Sequence, residues 1–178
     1  MKAAVANADR VGDVGVPDLV VREIGADEFE RAWPLFRSVV AAGDTYSYPP
    51  DITFEAARAL WTTPPVRCFL AERAGEVVGV YSLRPNQPGL GDHVANCGYM
   101  TAPTARGQGI AGRMCEHSLA EARRAGFRAM QFNFVVSSNA GAVRLWQKLG
   151  FSIVGTVPGA FRHATLGLTD IHVMHRFL

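Results

Sequence analysis

The sequence predicts an α/β (α+β) fold: a mixed central sheet with helices on both faces. Three observations predict it. "VRCFLAERAGEVVGVYSLRPN" reads as two apolar strands around a short turn, strand–helix units follow it, and a glycine-rich turn opens the first of those helices. Hairpin-linked strands pair antiparallel and strand–helix–strand units pair parallel, so a sheet that holds both is mixed.

Each element follows from local pattern. Residues 1–18 are small and polar, with Gly12, Gly15 and Pro17 and no periodicity, and are expected to be a flexible leader; residues 19–178 are expected to form one domain. "LVVREI" from Leu19 is a short β-branched strand. "ADEFERAWPLFRSVVAAG" puts Phe29, Trp33, Phe36 and Val40 at helical spacing and stops at Gly43, with Pro34 expected to kink or interrupt it. "DTYSYPPDIT" is loop, and "FEAARALW" is a short helix. The two hairpin strands turn at Ala74-Gly75-Glu76. "HVANCGYMT" is a strand ended by Pro103, and the helix from Ile110 to Ala125 has Ala111, Cys115, Leu119 and Ala122 as its buried stripe. "AMQFNFVV" is a strand, and "AGAVRLWQKL" is a helix burying Ala142, Leu145, Trp146 and Leu149 and stopped by Gly150. "FSIVGTVP" and "DIHVMHRFL" are the last two strands. The order is β-α-α-β-β-β-α-β-α-β-β, with no internal repeat.

Composition excludes several classes of function. With 178 residues, 48% hydrophobic and 19% charged, the chain has ordinary globular composition. Eighteen Lys and Arg against sixteen Asp and Glu leave a net charge of +2 with no polybasic run, so nucleic acid is not an expected partner. The apolar runs fall short of the roughly 20 residues that span a bilayer, and "MKAAVANADR" meets charge too early for a signal-peptide core. A cytoplasmic protein with no membrane contact is expected. Cys68, Cys97 and Cys115 lack CxxC spacing and read as buried thiols. His172 and His175 should point to opposite faces of the last strand, and His117 and His163 have no partner at ligand spacing, so no metal is expected.

Gly107-Gln108-Gly109-Ile110-Ala111-Gly112 matches GxGxxG after a strand and before a helix. A dinucleotide site would also need an acidic residue at the end of the next strand, where Ser137-Ser138-Asn139 stands instead. The physics of the turn survives that loss. Glycines let backbone N–H groups crowd an anion, the helix N-terminus adds partial positive charge, and Arg106 and Arg113 flank it. A phosphate group is the best guest; the alternative is a tight turn that binds nothing.

Arg106-Gly107-Gln108-Gly109-Ile110-Ala111 resembles the R/Q-x-x-G-x-G/A motif of the GNAT superfamily of acetyl-CoA-dependent N-acetyltransferases. Asn139-x-x-Ala142-x-x-Leu145-Trp146-x-Lys148-x-Gly150-Phe151 resembles its second signature, N-x-x-A-x-x-L-Y-x-K-x-G-F. The element order from Leu19 to Leu178 is similar to the GNAT acyl-CoA acyltransferase fold. The resemblance implies acetyl-CoA as cosubstrate, with its pyrophosphate on the amides of Arg106, Gly107, Gln108, Gly109, Ile110 and Ala111. It implies a pantetheine arm between "HVANCGYMT" and "AMQFNFVV", paired with main chain near Met100 and Thr101 and with the Asn139 side chain. Asn139 also suits a helix N-cap, and the two roles are compatible. Pairing of two copies through the last strands is common in the superfamily, so a homodimer is admitted.

A narrower resemblance joins Gly43-Asp44-Thr45-Tyr46, "RPN" at 84–86, "HVANCGYM", "QFNFVVSSN" and "LGFSIVGTVPGAF" to the azetidine-2-carboxylate (proline-analogue) acetyltransferases. It implies that Asn96 orients the acceptor amine. It further implies that Asn133 lines the same pocket, with Phe134 and Tyr46 beside it and main-chain amides receiving the substrate carboxylate. From the residues alone, an Asn inside an apolar strand costs free energy unless something satisfies its amide. A neighbouring loop or water at a splay of the sheet would also do so.

Acetyl transfer needs a neutral amine, donors for the developing oxyanion and a proton for the thiolate. Many GNAT enzymes carry a tyrosine as thiol acid where this chain has Trp146, and an indole N–H does not give up its proton in this pH range. Val94 to Thr101 holds no Asp or Glu, so the fourth strand offers no carboxylate base. Water is expected to carry the amine proton away, with His93, Tyr46 or Asp44 as relay, and water or a backbone donor to meet the thiolate. Cys97 should face away from Asn96, which favours direct transfer over an acyl-cysteine. Gly43 to Pro50 is either a lid over the acceptor pocket or a plain connector. The expected function is acetyl transfer to the amine of a small amino or imino acid. The alternatives are a protein or aminoglycoside acceptor, or a non-catalytic acyl-CoA sensor.

Overall fold

A computed structural model describes residues 18–178; the expected leader lies outside the described residues apart from Asp18. Among these, seven strands form one sheet in the order β1-β2-β3-β4-β5-β7-β6. The chain runs β1 (Leu19–Ile24), a 3-10 helix (Ala26–Arg31), α1 (Trp33–Ala41), α2 (Phe54–Thr62), β2 (Arg67–Arg73), β3 (Glu76–Pro85) and β4 (Val94–Thr101). It continues through α3 (Ile110–Arg124), β5 (Ala129–Val136), α4 (Ala140–Lys148), β6 (Ser152–His163) and β7 (Gly167–Phe177). All neighbouring pairs are antiparallel except β4 and β5. The expected element order and mixed sheet are therefore observed.

Strand alternation divides the core in two. Phe69, Tyr81, Leu83, Ala95 and Cys97 face α3 and α4, whereas Leu70, Val80 and Met100 face Phe36, Val40 and Trp61 of α1 and α2. Pro34 interrupts the first helical stretch as expected. It falls in the first turn of α1, where its missing N–H has no intrahelical partner to lose. The β2–β3 hairpin turns on Ala74 and Gly75, both at positive φ (51° and 82°), which gives a two-residue loop matched to strand twist.

Three expectations about extent and burial are corrected. β6 and β7 run beyond "FSIVGTVP" and "DIHVMHRFL", because Pro158 is tolerated on an edge strand at a register shift between Val157 and Phe161. On α3, Ala111 is only half-buried, while Ile110, Met114 and Ser118 join the buried stripe. On α4 only Trp146 is buried; Ala142, Leu145 and Leu149 are half-buried, the first two beside a cleft.

One part-buried polar contact links the core to pH. The Tyr81 hydroxyl lies 2.7 Å from His117 Nδ1, and Phe69 stacks on the Tyr81 ring with centroids 4.5 Å apart. Burial holds the His117 imidazole below its ordinary value of 6.5 and raises the Tyr81 phenol, so the phenol donates and the neutral ring accepts. Because the folded value is depressed, the unfolded chain takes up the proton first as pH falls. This contribution to stability is therefore complete above 6.5 and declines as pH drops below it. Thermal unfolding followed from about pH 8 to about pH 5 should show a midpoint that falls on the acid side, with a shallower fall in His117→Phe.

Candidate active site

β4 and β5 pair only at Val94↔Ala129 and Ala95↔Met130 and then diverge. At the point of divergence Asn96 Nδ2 donates to the Gln131 carbonyl at 2.9 Å, so the side chain closes the last rung where backbone pairing ends. Just beyond, β5 bulges: Phe132 faces Met174 and Val135 faces His172, leaving Asn133 and Phe134 opposite Val173 alone. The bulge exposes both residues. Asn133 accepts from Gln131 Nε2 and donates to Asn86 Oδ1, each at 2.7 Å.

Two cavities open from this splay. The first, about 660 Å³, runs along Met100, Thr101, Arg106, Gly107, Gly109 and Ile110, with Ala111 and Asn139 also on its wall. Gly107 and Gly109 hold φ of +75° and +79°, and Gly109 caps α3 without any side-chain hydrogen bond. The first N–H groups of α3 are thus left for a guest, a fit to a pyrophosphate. Gln108 does not line the cavity; its side-chain amide turns back to the Thr104 carbonyl at 3.0 Å. Arg113, expected to flank the turn, contacts Glu116 at 3.3 Å.

The second cavity, about 280 Å³, is walled by Tyr46, Tyr48, Trp61, Asn96, Asn133 and Phe134. Tyr46 donates to the Tyr99 carbonyl at 3.0 Å, and Gly98 makes room for it, since a Cβ there would stand 3.0 Å from the hydroxyl. Tyr46 and Tyr48 stack with centroids 5.5 Å apart, and Trp61 Nε1 donates to the Tyr48 hydroxyl at 3.1 Å. Thr45, Tyr99, Asn139, Ala142 and Trp146 line both cavities and form the seam between them. Asn139 keeps its capping role, accepting from Ala142 N at 3.2 Å.

The acid–base groups are sparse. Burial raises the Tyr46 phenol well above its ordinary value, so it stays protonated. His93 lines neither cavity, whereas Asp44 lines the first. The Tyr99 hydroxyl is turned toward Ser118 and Met130, 3.7 Å from the Met130 sulfur. Ser118 Oγ donates to the Cys115 carbonyl at 2.8 Å, so the Tyr99 hydroxyl, 2.6 Å away, donates to Ser118. Cys97 belongs to the α3 side of the core, 7% exposed, and burial pushes its thiol up to about 12.

Several residues at the site were not singled out from sequence. His163 and Leu166, at the tip between β6 and β7, line the first cavity, and Ala164 N donates to Gly43 O at 2.9 Å, joining that tip to the loop after α1. Tyr48, Trp61 and Arg84 line the second. These come from segments far apart in sequence, and only the fold assembles them. Among the described residues no group of three or more His, Cys, Asp or Glu is placed to hold a metal, and no helix is long and apolar enough to cross a membrane.

Comparison with known proteins agrees with the fold. A GCN5-related N-acetyltransferase structure from Kribbella flavida is 47% identical with a TM-score of 0.85, over 90% of this chain and 98% of that one. A GNAT superfamily phosphinothricin acetyltransferase (Pat) from Sinorhizobium meliloti, in complex with AcCoA, shares the fold at 20% identity and a TM-score of 0.77, over 90% of this chain and 89% of that one. N-acetyltransferase aca1 of Schizosaccharomyces pombe is 34% identical over 86 residues, which is 48% of this chain. The match spans 41% of that curated relative's length, and a match to Protein SPT10 of Saccharomyces cerevisiae spans 13% of that protein. Residues 27–151 match the Acetyltransferase (GNAT) family, and the chain belongs to that family of acetyl-CoA-dependent N-acetyltransferases.

Proposed function

We propose that the chain passes the acetyl group of acetyl-CoA directly to the amine of a small amino or imino acid. The seam carries this reading: a thioester lying along the first cavity would end at Tyr99, Asn139 and Trp146, where the second cavity begins. The turn from Arg106 to Ala111 would hold the pyrophosphate, with the amide of Gln108 contributing from the backbone. Main chain at Met100 and Thr101 would pair with the pantetheine amides, helped by Asn139. Asn96 and Asn133 would position the amine, with Tyr46 and Phe134 as pocket wall. Such alignment supplies about 7 kcal/mol or more of barrier reduction in well-aligned cases. Water would take the amine proton, with Asp44, the one carboxylate among the described residues lining the first cavity, as relay, and water or a backbone N–H would meet the thiolate.

Among the described residues the second cavity has no acidic side chain on its wall, which disfavours an aminoglycoside or a lysine-bearing peptide as acceptor. Asn96 and Asn133, on the wall of one cavity, support a place beside the azetidine-2-carboxylate (proline-analogue) acetyltransferases. The reading carries with it a cytoplasmic setting, and a homodimer through β6, an edge strand that exposes Ile153, Val154 and Val157.

Release of free CoA thiol from acetyl-CoA, measured across proline analogues, common amino acids, peptides and aminoglycosides, tests the proposal. Release with amino or imino acids above the acceptor-free rate is the expected result. Release only with peptides or aminoglycosides would move the acceptor class. No release with any amine, despite acetyl-CoA binding, would make the chain a sensor, which the indole at position 146 and the lack of a carboxylate on β4 would suit.

A further inference from the structure

The second cavity contains one charge. Arg84, near the end of β3, is the single charged residue on its wall among the described residues. No carboxylate among those residues pairs with it, whereas Arg22, Arg31, Arg67 and Arg124 each sit against a glutamate. Arg84 lies directly across from Asn96 in the β3–β4 ladder, so both side chains leave the same face of the sheet. Cross-strand neighbours of this kind have Cβ atoms about 4.5–5.5 Å apart. Asn96 has its Nδ2 committed to the Gln131 carbonyl, which leaves Oδ1 as an acceptor for an amine N–H.

From this juxtaposition, and building on the acetyl-transfer reading above, we infer that Arg84 binds the carboxylate of an α-amino or α-imino acid acceptor whose nitrogen is held by Asn96. One carbon separates the two groups in such an acceptor, a span that fits two side chains facing each other across one rung of the ladder. A guanidinium matches a carboxylate with two parallel N–H donors, which a lysine would not reproduce. The positive charge acts on the nitrogen as well. It disfavours the protonated amine and so favours the neutral form that attacks the thioester. The acceptor's side group meets the aromatic wall of Tyr46, Tyr48 and Trp61, which selects an apolar or ring substituent.

Two measurements on Arg84→Gln and Arg84→Lys test the anchor. In steady-state kinetics with L-proline and L-prolinamide as probes, wild type should prefer the acid. Arg84→Gln should raise the KM of the acid by roughly tenfold to a hundredfold, leave the KM of acetyl-CoA unchanged and abolish the preference over the amide. Arg84→Lys should recover part of the loss. Titration calorimetry of the same probes, with coenzyme A present, reads the anchor without turnover and should show the same loss of acid binding in Arg84→Gln. Acid and amide used or bound alike by wild type and Arg84→Gln would overturn the anchor while leaving acetyl transfer intact. Binding of L-proline that depends on Arg84 without any CoA release would uphold the anchor and overturn the transfer. Absence of binding by L-proline and every common amino acid would overturn the anchor itself.

Discussion

Replacing Gly109 by alanine is expected to weaken acetyl-CoA binding by tenfold or more while leaving the fold standing. Gly109 holds φ of +79°, and Gly107, two residues earlier, holds +75°. An L-residue in that region costs roughly 1–2 kcal/mol, and the chain relieves the strain by rotating the turn. Rotation redirects the N–H groups that the uncapped start of α3 leaves unpaired, which are the groups the pyrophosphate reading depends on. Asparagine tolerates left-handed backbone better, so Gly109→Asn should lose less affinity than Gly109→Ala. Equilibrium titration with acetyl-CoA checks the order, and a thermal midpoint checks the fold. Unchanged affinity in both variants would mean the cosubstrate does not sit on this turn.

Replacing Asn96 by alanine should cut turnover by about a hundredfold with acetyl-CoA affinity nearly unchanged. On the acetyl-transfer reading the residue has two roles at one place. Its Nδ2 holds the Gln131 carbonyl where β4 and β5 part, and its amide stands on the wall of the second cavity. Loss of the first leaves a part-buried carbonyl unpaired, at a cost of about 1–3 kcal/mol. Loss of the second lets the amine drift, and a displacement of about 1 Å can itself cost a factor near a hundred. Asn96→Asp separates the roles. The carboxylate keeps an acceptor for the amine but has no donor for Gln131, so its turnover should exceed that of Asn96→Ala while its stability does not. A kcat equal to wild type in Asn96→Ala would remove Asn96 from the acceptor site.

Most of the fold was legible because it depends on local pattern. β5 coincides with "AMQFNFVV", and α4 begins after its Asn cap where the signature places it. The glycine turn was legible as a left-handed turn opening a helix because that conformation is written in glycine itself. Other features are tertiary. The bulge at Asn133 and Phe134 depends on pairing with β7, so an alternating strand pattern could not reveal that both residues would be exposed. The reach of β6 past Pro158 depends on its being an edge strand. Arg84 opens the Arg84-Pro85-Asn86 stretch, yet only the ladder sets it across from Asn96. Trp146, recognised in sequence as marking an absent acid, proves to pack on Tyr99 and Phe132, with centroids 5.0 and 5.2 Å apart, and to form part of the seam.

The central claim is that acetyl crosses this seam in one step, from thioester to amine, with no stop on the protein. Cys97 is the thiol nearest to Asn96 in the chain, and burial among α3 side chains raises it to about 12, far from the thiolate that an acyl carrier needs. The most direct measurement is the initial rate of CoA release, with acetyl-CoA and the accepted amino acid varied together, alongside the intact mass of the protein after acetyl-CoA alone. Intersecting reciprocal plots and an unchanged mass are the predicted result. Parallel plots with one acetyl group retained on the chain would contradict it.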